Sequence, residues 1–196
     1  MITLRRNYLK SIIYGRKEYH YNFKIIVRKS RLLYFKRKIQ KYKKGGKITM
    51  NHVNKAENYF CSNFNCSQAV FTTFATELGM DEELALKIST QFGGGARKGE
   101  MCGAVSGALM ALGLKYGHCH SEDMEEKGRA YKISEDFMNR FIAEKGTVVC
   151  RELLGYDLSK EEDMEKINEL GLFKTVCPEM VRCATVIVEQ MMNELK

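Results

Sequence analysis

The spacing of apolar and polar residues beyond residue 50 is helical. Apolar residues recur at helical spacing over residues 54–60 and 67–78, which predicts two helices. The second helix should bury one face, and Gly79 should end it. That face comprises Ala69, Val70, Phe71, Phe74 and Leu78. A short helix is predicted after Asp81, because Glu82 and Glu83 suit the positively polarised first turn of a helix.

The most apolar segment, residues 101–114, is rich in glycine and alanine. Its small residues are Gly103, Ala104, Gly107, Ala108, Ala111 and Gly113. So many small residues would weaken an isolated helix, so they predict a central helix that its neighbours approach closely. Fourteen residues are too few to span a bilayer, and we therefore expect a core helix and no membrane span.

The remaining segments also follow helical patterns. Residues 122–145 should form a long amphipathic helix ended by Gly146, with Ile133, Phe137, Phe141 and Ile142 facing inward. Ser159 and Glu162 have the spacing of a capping box for a helix that reaches Leu170. A last helix should start at Cys177 and Pro178. Its buried residues should be Val181, Ala184, Val186, Val188, Met191 and Met192.

Strand signals are missing from the sequence. No segment alternates with period two for long, and the chain has a single proline and no hairpin dipeptides. The predicted fold is therefore all-α, a compact multi-helix bundle around the central Gly/Ala-rich helix.

Charge divides the chain into two parts. Residues 1–49 hold 16 lysines and arginines and one acid, Glu18, whereas residues 50–196 hold 16 bases and 23 acids. The net charge of +8 therefore describes neither part. The acidic part argues against nucleic acid as a partner, so any such contact would belong to the basic extension.

The basic extension, residues 1–49, has three interpretations. Arg5 and Arg6 resemble a twin-arginine export signal, but charged residues interrupt every apolar run that should follow. The extension could instead tether the protein to nucleic acid or a membrane. Finally, residues 44–46 can be encoded by a ribosome-binding sequence just before Met50. We expect Met50 to be the start, residues 1–49 to be a leader or disordered arm, residues 50–196 to be the domain, and the location to be cytoplasmic.

The candidate chemistry lies in the cysteines of the domain. They are Cys61, Cys66, Cys102, Cys119, Cys150, Cys177 and Cys183. Their number is odd, no cleavable signal precedes them, and a domain of this length needs no disulfide in order to fold. Free thiols, metal ligands or a redox pair are therefore favoured over a secreted disulfide framework.

Four cysteines fall at or near predicted helix starts, one of them at the short turn over residues 150–155 that Cys150 opens. They are Cys66, Cys102, Cys150 and Cys177. The free N–H groups and the dipole of a helix start stabilise a thiolate, which is the nucleophilic and metal-binding form. Gly93, Gly94 and Gly95 precede Cys102 and lack the ending of a nucleotide-binding loop, so we interpret them, with Gly103, as backbone facing an anion or sulfur. Together these features predict a sulfur-lined site at one end of the bundle.

Five segments carry a family resemblance. They are residues 65–70 (NCSQAV), 92–95 (FGGG), 102–109 (CGAVSGAL) and 150–155 (CRELLG), followed by Cys177. In this order they resemble the C-GCAxxG-C-C family of redox-active proteins, over most of residues 54–192. The resemblance implies a bacterial or archaeal protein that acts through redox chemistry or holds a metal or iron–sulfur group. It also implies a partner among oxidoreductase or transporter systems.

The resemblance assigns roles to individual residues. The carried-over positions are Cys66, Cys102, Cys150 and Cys177, together with Gly103 and Gly107. Met101 stands where the family pattern leads us to expect glycine. The pattern supplies a site and no reaction.

Three functions fit these residues. The four cysteines could bind zinc or an iron–sulfur cluster, or they could exchange disulfides without a cofactor, with Cys102 attacking and one of the others resolving. The third is an all-α binding module whose basic arm contacts nucleic acid or membrane. His118, Cys119 and His120 fit a loop better than a metal site, because adjacent residues rarely converge on one ion. Cys61 and Cys183 have no metal-ligand spacing. No hydrolase triad or nucleotide fingerprint defines an enzyme class.

Overall fold

A computed structural model describes residues 51–195 of the protein, and this part is built from helices. The α-helices are α1 (Asn51–Cys61), α2 (Cys66–Ala75), α3 (Glu82–Ser89), α4 (Gly103–Tyr116), α5 (Met124–Lys145), α6 (Cys150–Leu154), α7 (Glu161–Glu169), α8 (Leu172–Thr175) and α9 (Cys177–Glu194). A 3-10 turn (Thr90–Phe92) and a π turn (Gly95–Gly99) lie between α3 and α4. The described residues contain no strand, only an isolated antiparallel bridge between Met101 and Val149. The all-α prediction is confirmed, whereas the predictions for residues 1–49 lie outside the described residues.

Helix α4 is the predicted central helix, and it packs against α2, α5 and α9. Residues 103–108 are all buried. A Cβ atom placed on Gly107 would lie 2.6 Å from the backbone oxygen of Ser67, so only glycine lets α2 and α4 approach this closely. None of the helices within residues 51–195 has the length and apolar composition needed to cross a bilayer.

The core lies where these helices meet, and most of the residues predicted to face inward do so. The fully buried aromatic side chains are Phe74, Phe137 and Phe141. Two predictions are wrong: Leu78 is 37% exposed and Ile142 is 40% exposed. Helix α2 ends before Leu78, and Ile142 is rotated by about 100° from its buried neighbour on the helix, so each leaves the buried face. Val186 and Met192 are half-buried.

A capping box fixes the start of α2. The Asn65 side chain accepts hydrogen bonds from the backbone N–H groups of Ser67 and Gln68, at 3.0 and 3.1 Å. The Gln68 side chain accepts one in return from the Asn65 backbone, at 3.0 Å. Such a reciprocal pair satisfies donors that the first turn leaves free. It therefore holds the backbone on both sides of Cys66.

The capping box predicted at Ser159 is wrong. The Ser159 hydroxyl donates to a carboxylate oxygen of Asp157 at 2.7 Å and is not available to the helix. Helix α7 begins after Lys160, and no side chain caps it there. The nearby carboxylate thus competes successfully for the hydroxyl that the sequence spacing assigned to the helix.

His52 connects α1 to the rest of the bundle. Its Nε2 atom lies 2.7 Å from an oxygen of Glu77, and its Nδ1 atom lies 3.3 Å from an oxygen of Glu189, a buried carboxylate. The imidazole ring also stacks on Phe74 with 4.9 Å between ring centroids. The hydrogen bond with Glu189 raises the pKa of His52 above 6.5, against the opposing effect of burial.

This network predicts a pH dependence of stability. A raised pKa means that the folded state holds the His52 proton more tightly than the unfolded state. The stability that protonated His52 contributes to the fold is therefore complete below pH 6.5, and it is lost as the pH rises through the raised pKa. Urea unfolding at several pH values should show this loss, and His52→Gln should flatten it. The exposed His120→Gln is the matched control; an unchanged slope in His52→Gln would contradict the assignment.

Candidate functional site: a cavity lined by four cysteines

The four cysteines predicted at helix starts lie there in the structure. Cys66, Cys150 and Cys177 are the first residues of α2, α6 and α9, and Cys102 immediately precedes α4. All four are buried, with exposed fractions between 4% and 9%. Each thiol therefore lies at the positively polarised end of a helix, yet is largely removed from water.

These helix starts surround one cavity of about 270 Å³, and all four cysteines line it. Much of the remaining wall is apolar and includes Phe60, Leu154, Phe173 and Met180. Arg97 is the only charged residue among the described residues that line the cavity. The bundle thus brings together cysteines that are far apart in sequence in a mostly apolar pocket.

Gly103 explains how the starts of α2 and α4 come together. A Cβ atom on Gly103 would lie 3.2 Å from the Cβ atom of Cys66 and 3.2 Å from the backbone nitrogen of Ser67. These distances are tighter than ordinary van der Waals contact. A residue without a side chain next to Cys102 therefore allows the two cysteine-bearing helix starts to pack directly against each other.

Two backbone hydrogen bonds join the segments that carry Cys102 and Cys150. The Cys102 N–H donates to the carbonyl of Val148 at 2.8 Å, and the Cys150 N–H donates to the carbonyl of Glu100 at 2.6 Å. An ion pair between Arg151 and Glu100, at 2.5 Å, lies beside this connection. The positions of these two cysteines are thus fixed relative to each other by the backbone.

The glycine loop reaches the cavity through two of its three glycines. Gly93 and Gly94 line the cavity, as does Gly103, whereas Gly95 does not. A Cβ atom on Gly93 would lie 2.6 Å from the Asn65 side chain. At Gly95 it would lie 2.4 Å from the backbone nitrogen of Glu100, so this glycine serves the tight turn. The predicted cavity-facing role therefore does not extend to Gly95.

The loop is left-handed over four successive residues. Gly94, Gly95, Ala96 and Arg97 have φ values of 62°, 62°, 52° and 62°. Glycine adopts this conformation freely, but a residue with a Cβ atom is strained in it. The turn leaves Arg97 exposed and at the cavity wall.

Burial dominates the acidity of two cavity cysteines. It raises the pKa of Cys102 to about 11, although the backbone N–H groups of Ala104 and Val105 act in the opposite direction. Burial likewise raises the pKa of Cys150 to about 12, with Arg97 as an opposing charge. The helix-start effect anticipated from the sequence is present at Cys102, but desolvation outweighs it.

Cys66 and Cys177 differ from this pattern because they interact with each other. Their side-chain hydrogen bond lowers the pKa of Cys177, against the effect of burial. The same bond is the main reason why the pKa of Cys66 lies well above its ordinary value, and burial adds to it. Of the two thiols, Cys177 is therefore the one that ionises more readily.

The four cysteines suit a metal by their chemistry but not by their arrangement. Thiolates are the ligands that zinc and iron–sulfur clusters use. Among residues 51–195, however, no three Cys, His, Asp or Glu side chains are placed to hold one metal ion. The predicted ligands Cys66, Cys102, Cys150 and Cys177 therefore share a cavity without forming a closed coordination shell, and the segment 118–120 forms none either.

The other three cysteines lie apart from the cavity. Cys61 and Cys119 are exposed, and Cys183 is buried within α9 without lining the cavity. Burial raises the pKa of Cys183 to about 12.

Two residues of the site, Asn65 and Arg97, were not among the predicted site residues. The spacing of Asn65 and Gln68 is itself a capping signal, so the first could have been found. The position of Arg97 depends on the left-handed turn, for which only the preceding glycines are a signal.

Fold and cavity together define a small helical protein with four buried thiols in one pocket. The model of the family described as "Putative redox-active protein (C_GCAxxG_C_C)" matches residues 64–191, and the chain belongs to this family. The match includes all four cavity cysteines and confirms the resemblance carried by the motifs. No curated protein and no solved structure matches the chain.

Proposed function

We propose that the protein is a thiol–disulfide redox protein whose exchanging pair is Cys66 and Cys177. The observation that carries this proposal is that Cys66 and Cys177 line one cavity at two helix starts. The opposite shifts of their pKa values, each caused mainly by the other thiol, single out this pair among the four cysteines. The redox character of the family supports it. Exchange needs only two sulfurs that can bridge, whereas a metal centre needs several ligands around one point.

Cys177 is the attacking sulfur in this proposal. A thiolate is the nucleophile in exchange, and Cys177 is the cavity cysteine whose pKa is lowered. The sequence favoured Cys102 for this role, but its pKa of about 11 leaves it protonated at neutral pH. We therefore assign the attack to Cys177 and the resolving role to Cys66.

The reaction conserves atoms and electrons. The Cys177 thiolate attacks one sulfur of a substrate disulfide, forms a mixed disulfide and releases the first substrate thiolate. Cys66 then loses its proton, attacks the Cys177 sulfur and releases the second substrate thiolate. The protein is oxidised by two electrons to a Cys66–Cys177 disulfide, the substrate is reduced to two thiols, and the reverse reaction reduces the protein.

The second step is eased by the first. The interaction with Cys177 is the largest cause of the raised pKa of Cys66. When Cys177 is tied up in a mixed disulfide it has no negative charge to oppose ionisation of Cys66. Burial then remains as the main cause that keeps Cys66 protonated, so its thiolate becomes easier to form at the moment it is needed.

The test is to equilibrate the full chain with oxidised and reduced dithiothreitol, block free thiols, and map disulfides by mass spectrometry. We expect loss of two thiols and a cross-linked peptide joining Cys66 to Cys177. Cys177→Ser should abolish this cross-link. Cys183→Ser, which removes a buried thiol outside the cavity, should leave it intact. A dominant disulfide between other residues, or no thiol loss, would refute the proposal.

A four-thiolate metal centre is the second candidate function. The observation that favours it is the donor set itself, since Cys66, Cys102, Cys150 and Cys177 line one cavity. Metal analysis and the visible absorption of anaerobically purified protein distinguish the two functions. One zinc or an iron–sulfur spectrum per chain, lost in Cys102→Ala, would favour the metal centre over exchange.

A further inference from the structure

Arg97 places a single positive charge at the cavity. It is the only charged residue among the described residues that line the pocket. The ion pairs within residues 51–195 do not include Arg97, whereas the nearby Arg151 is paired with Glu100. Its side chain is exposed, so its guanidinium can contact a ligand at the entrance. A guanidinium fork matches the geometry of a carboxylate.

The size and lining of the cavity restrict what can enter. A volume of about 270 Å³ lies at the small end of the range for ligand pockets, which suits a small organic molecule. The apolar part of the wall suits carbon and sulfur atoms, and Arg97 suits a negative charge. No acid among the described lining residues opposes that charge.

We infer that the substrate is a small disulfide bearing carboxylate groups, and that Arg97 binds one of those carboxylates while the sulfurs face the cavity thiols. This inference rests on the proposed thiol–disulfide function and specifies its substrate class. Arg97 is a binding residue here, since it takes no part in the bond changes. Those changes are as above: two protein thiols are oxidised, and one small disulfide becomes two carboxylated thiols.

Three small disulfides of different charge serve as probes: dithiodiglycolate, which is anionic; bis(2-hydroxyethyl) disulfide, which is neutral; and cystamine, which is cationic. Each is mixed with the reduced full chain, and the rate of Cys66–Cys177 disulfide formation is followed by thiol blocking and mass spectrometry. Cys61 and Cys119 are first changed to serine, because both are exposed and would react with the probes.

Arg97→Gln should lower the rate of oxidation by dithiodiglycolate about fivefold at low salt and raise the rate with cystamine. Its effect on the rate with the neutral probe should be much smaller than either. The anionic effect should shrink at high salt. Lys98→Gln is the matched control, since it removes the same charge from the next residue, which is exposed but does not line the cavity. It should leave all three rates nearly unchanged.

The rate ratio of the anionic to the neutral probe separates substrate binding from other effects. Equal slowing of every probe in Arg97→Gln would mean that Arg97 acts on the thiols or on the fold, and this would overturn the inference. An unchanged ratio would overturn it as well, while leaving the exchange function intact. If no probe forms the Cys66–Cys177 disulfide in the parent protein, the proposed function fails first and the inference fails with it.

Discussion

Replacing Phe141 with alanine should destabilise the protein by about 3–5 kcal/mol. The Phe141 ring is fully buried in α5 and lies 6.2 Å from the ring of Phe137, measured between centroids. Its removal loses apolar burial and leaves a cavity that close-packed neighbours fill only in part. Urea unfolding of the full chain measures the change in the free energy of unfolding.

The adjacent Ile142 provides the matched control. Ile142 is 40% exposed, so Ile142→Ala should cost less than about 1 kcal/mol. The two substitutions shorten neighbouring side chains on the same helix and differ mainly in burial. Similar losses for both would contradict the orientation of α5 described above.

Replacing Gly107 with alanine should destabilise the protein by about 2 kcal/mol. The added Cβ atom would meet the backbone oxygen of Ser67 at 2.6 Å, and backbone cannot move aside as a flexible side chain can. Helices α2 and α4 would have to separate, although alanine favours the helical conformation more than glycine does. Because Cys66 and Cys102 lie at the starts of these helices, the exchange rate with a neutral disulfide should also change.

Gly113→Ala in the same helix is the control for this second prediction. A Cβ atom there meets nothing within 4 Å, so only helix propensity acts. The variant should be more stable than the parent by about 0.5–1 kcal/mol. In urea unfolding, we expect Gly107→Ala to lower the free energy of unfolding and Gly113→Ala to raise it. Stabilisation in both would show that α2 and α4 are not in close contact at Gly107.

The sequence was sufficient for most of the helices and for the position of the four cysteines at helix starts, because local signals determine both, whereas the short helix α8 was not predicted. Apolar periodicity located α2, α4, α5 and α9, and the positions of Cys66 and Cys177 beside helix starts followed from it. One error arose because a second hydrogen-bond partner lay nearby. The Ser159 hydroxyl, predicted to cap a helix, instead donates to the carboxylate of Asp157. Periodicity alone also did not show that Ile142 lies outside the buried stripe of α5.

The pairing of thiols could not be predicted in the same way. Which two of the four helix starts approach each other depends on how the helices cross in the packed bundle, which no local signal in the sequence encodes. The sequence also predicted lowered thiol pKa values from helix dipoles alone. The degree of burial, which reverses the effect at Cys102 and Cys150, exists only in the packed bundle.

The left-handed conformation of Arg97 lowers the stability of the fold, while its side chain is the one that we assign to substrate binding. A side chain held at a φ of 62° costs roughly 1 kcal/mol relative to glycine, so a glycine at this position would favour the folded state. It would also delete the guanidinium that we assign to substrate binding. A screen of variants for thermal stability alone would therefore favour glycine at position 97, whereas a screen for turnover of anionic disulfides would favour arginine.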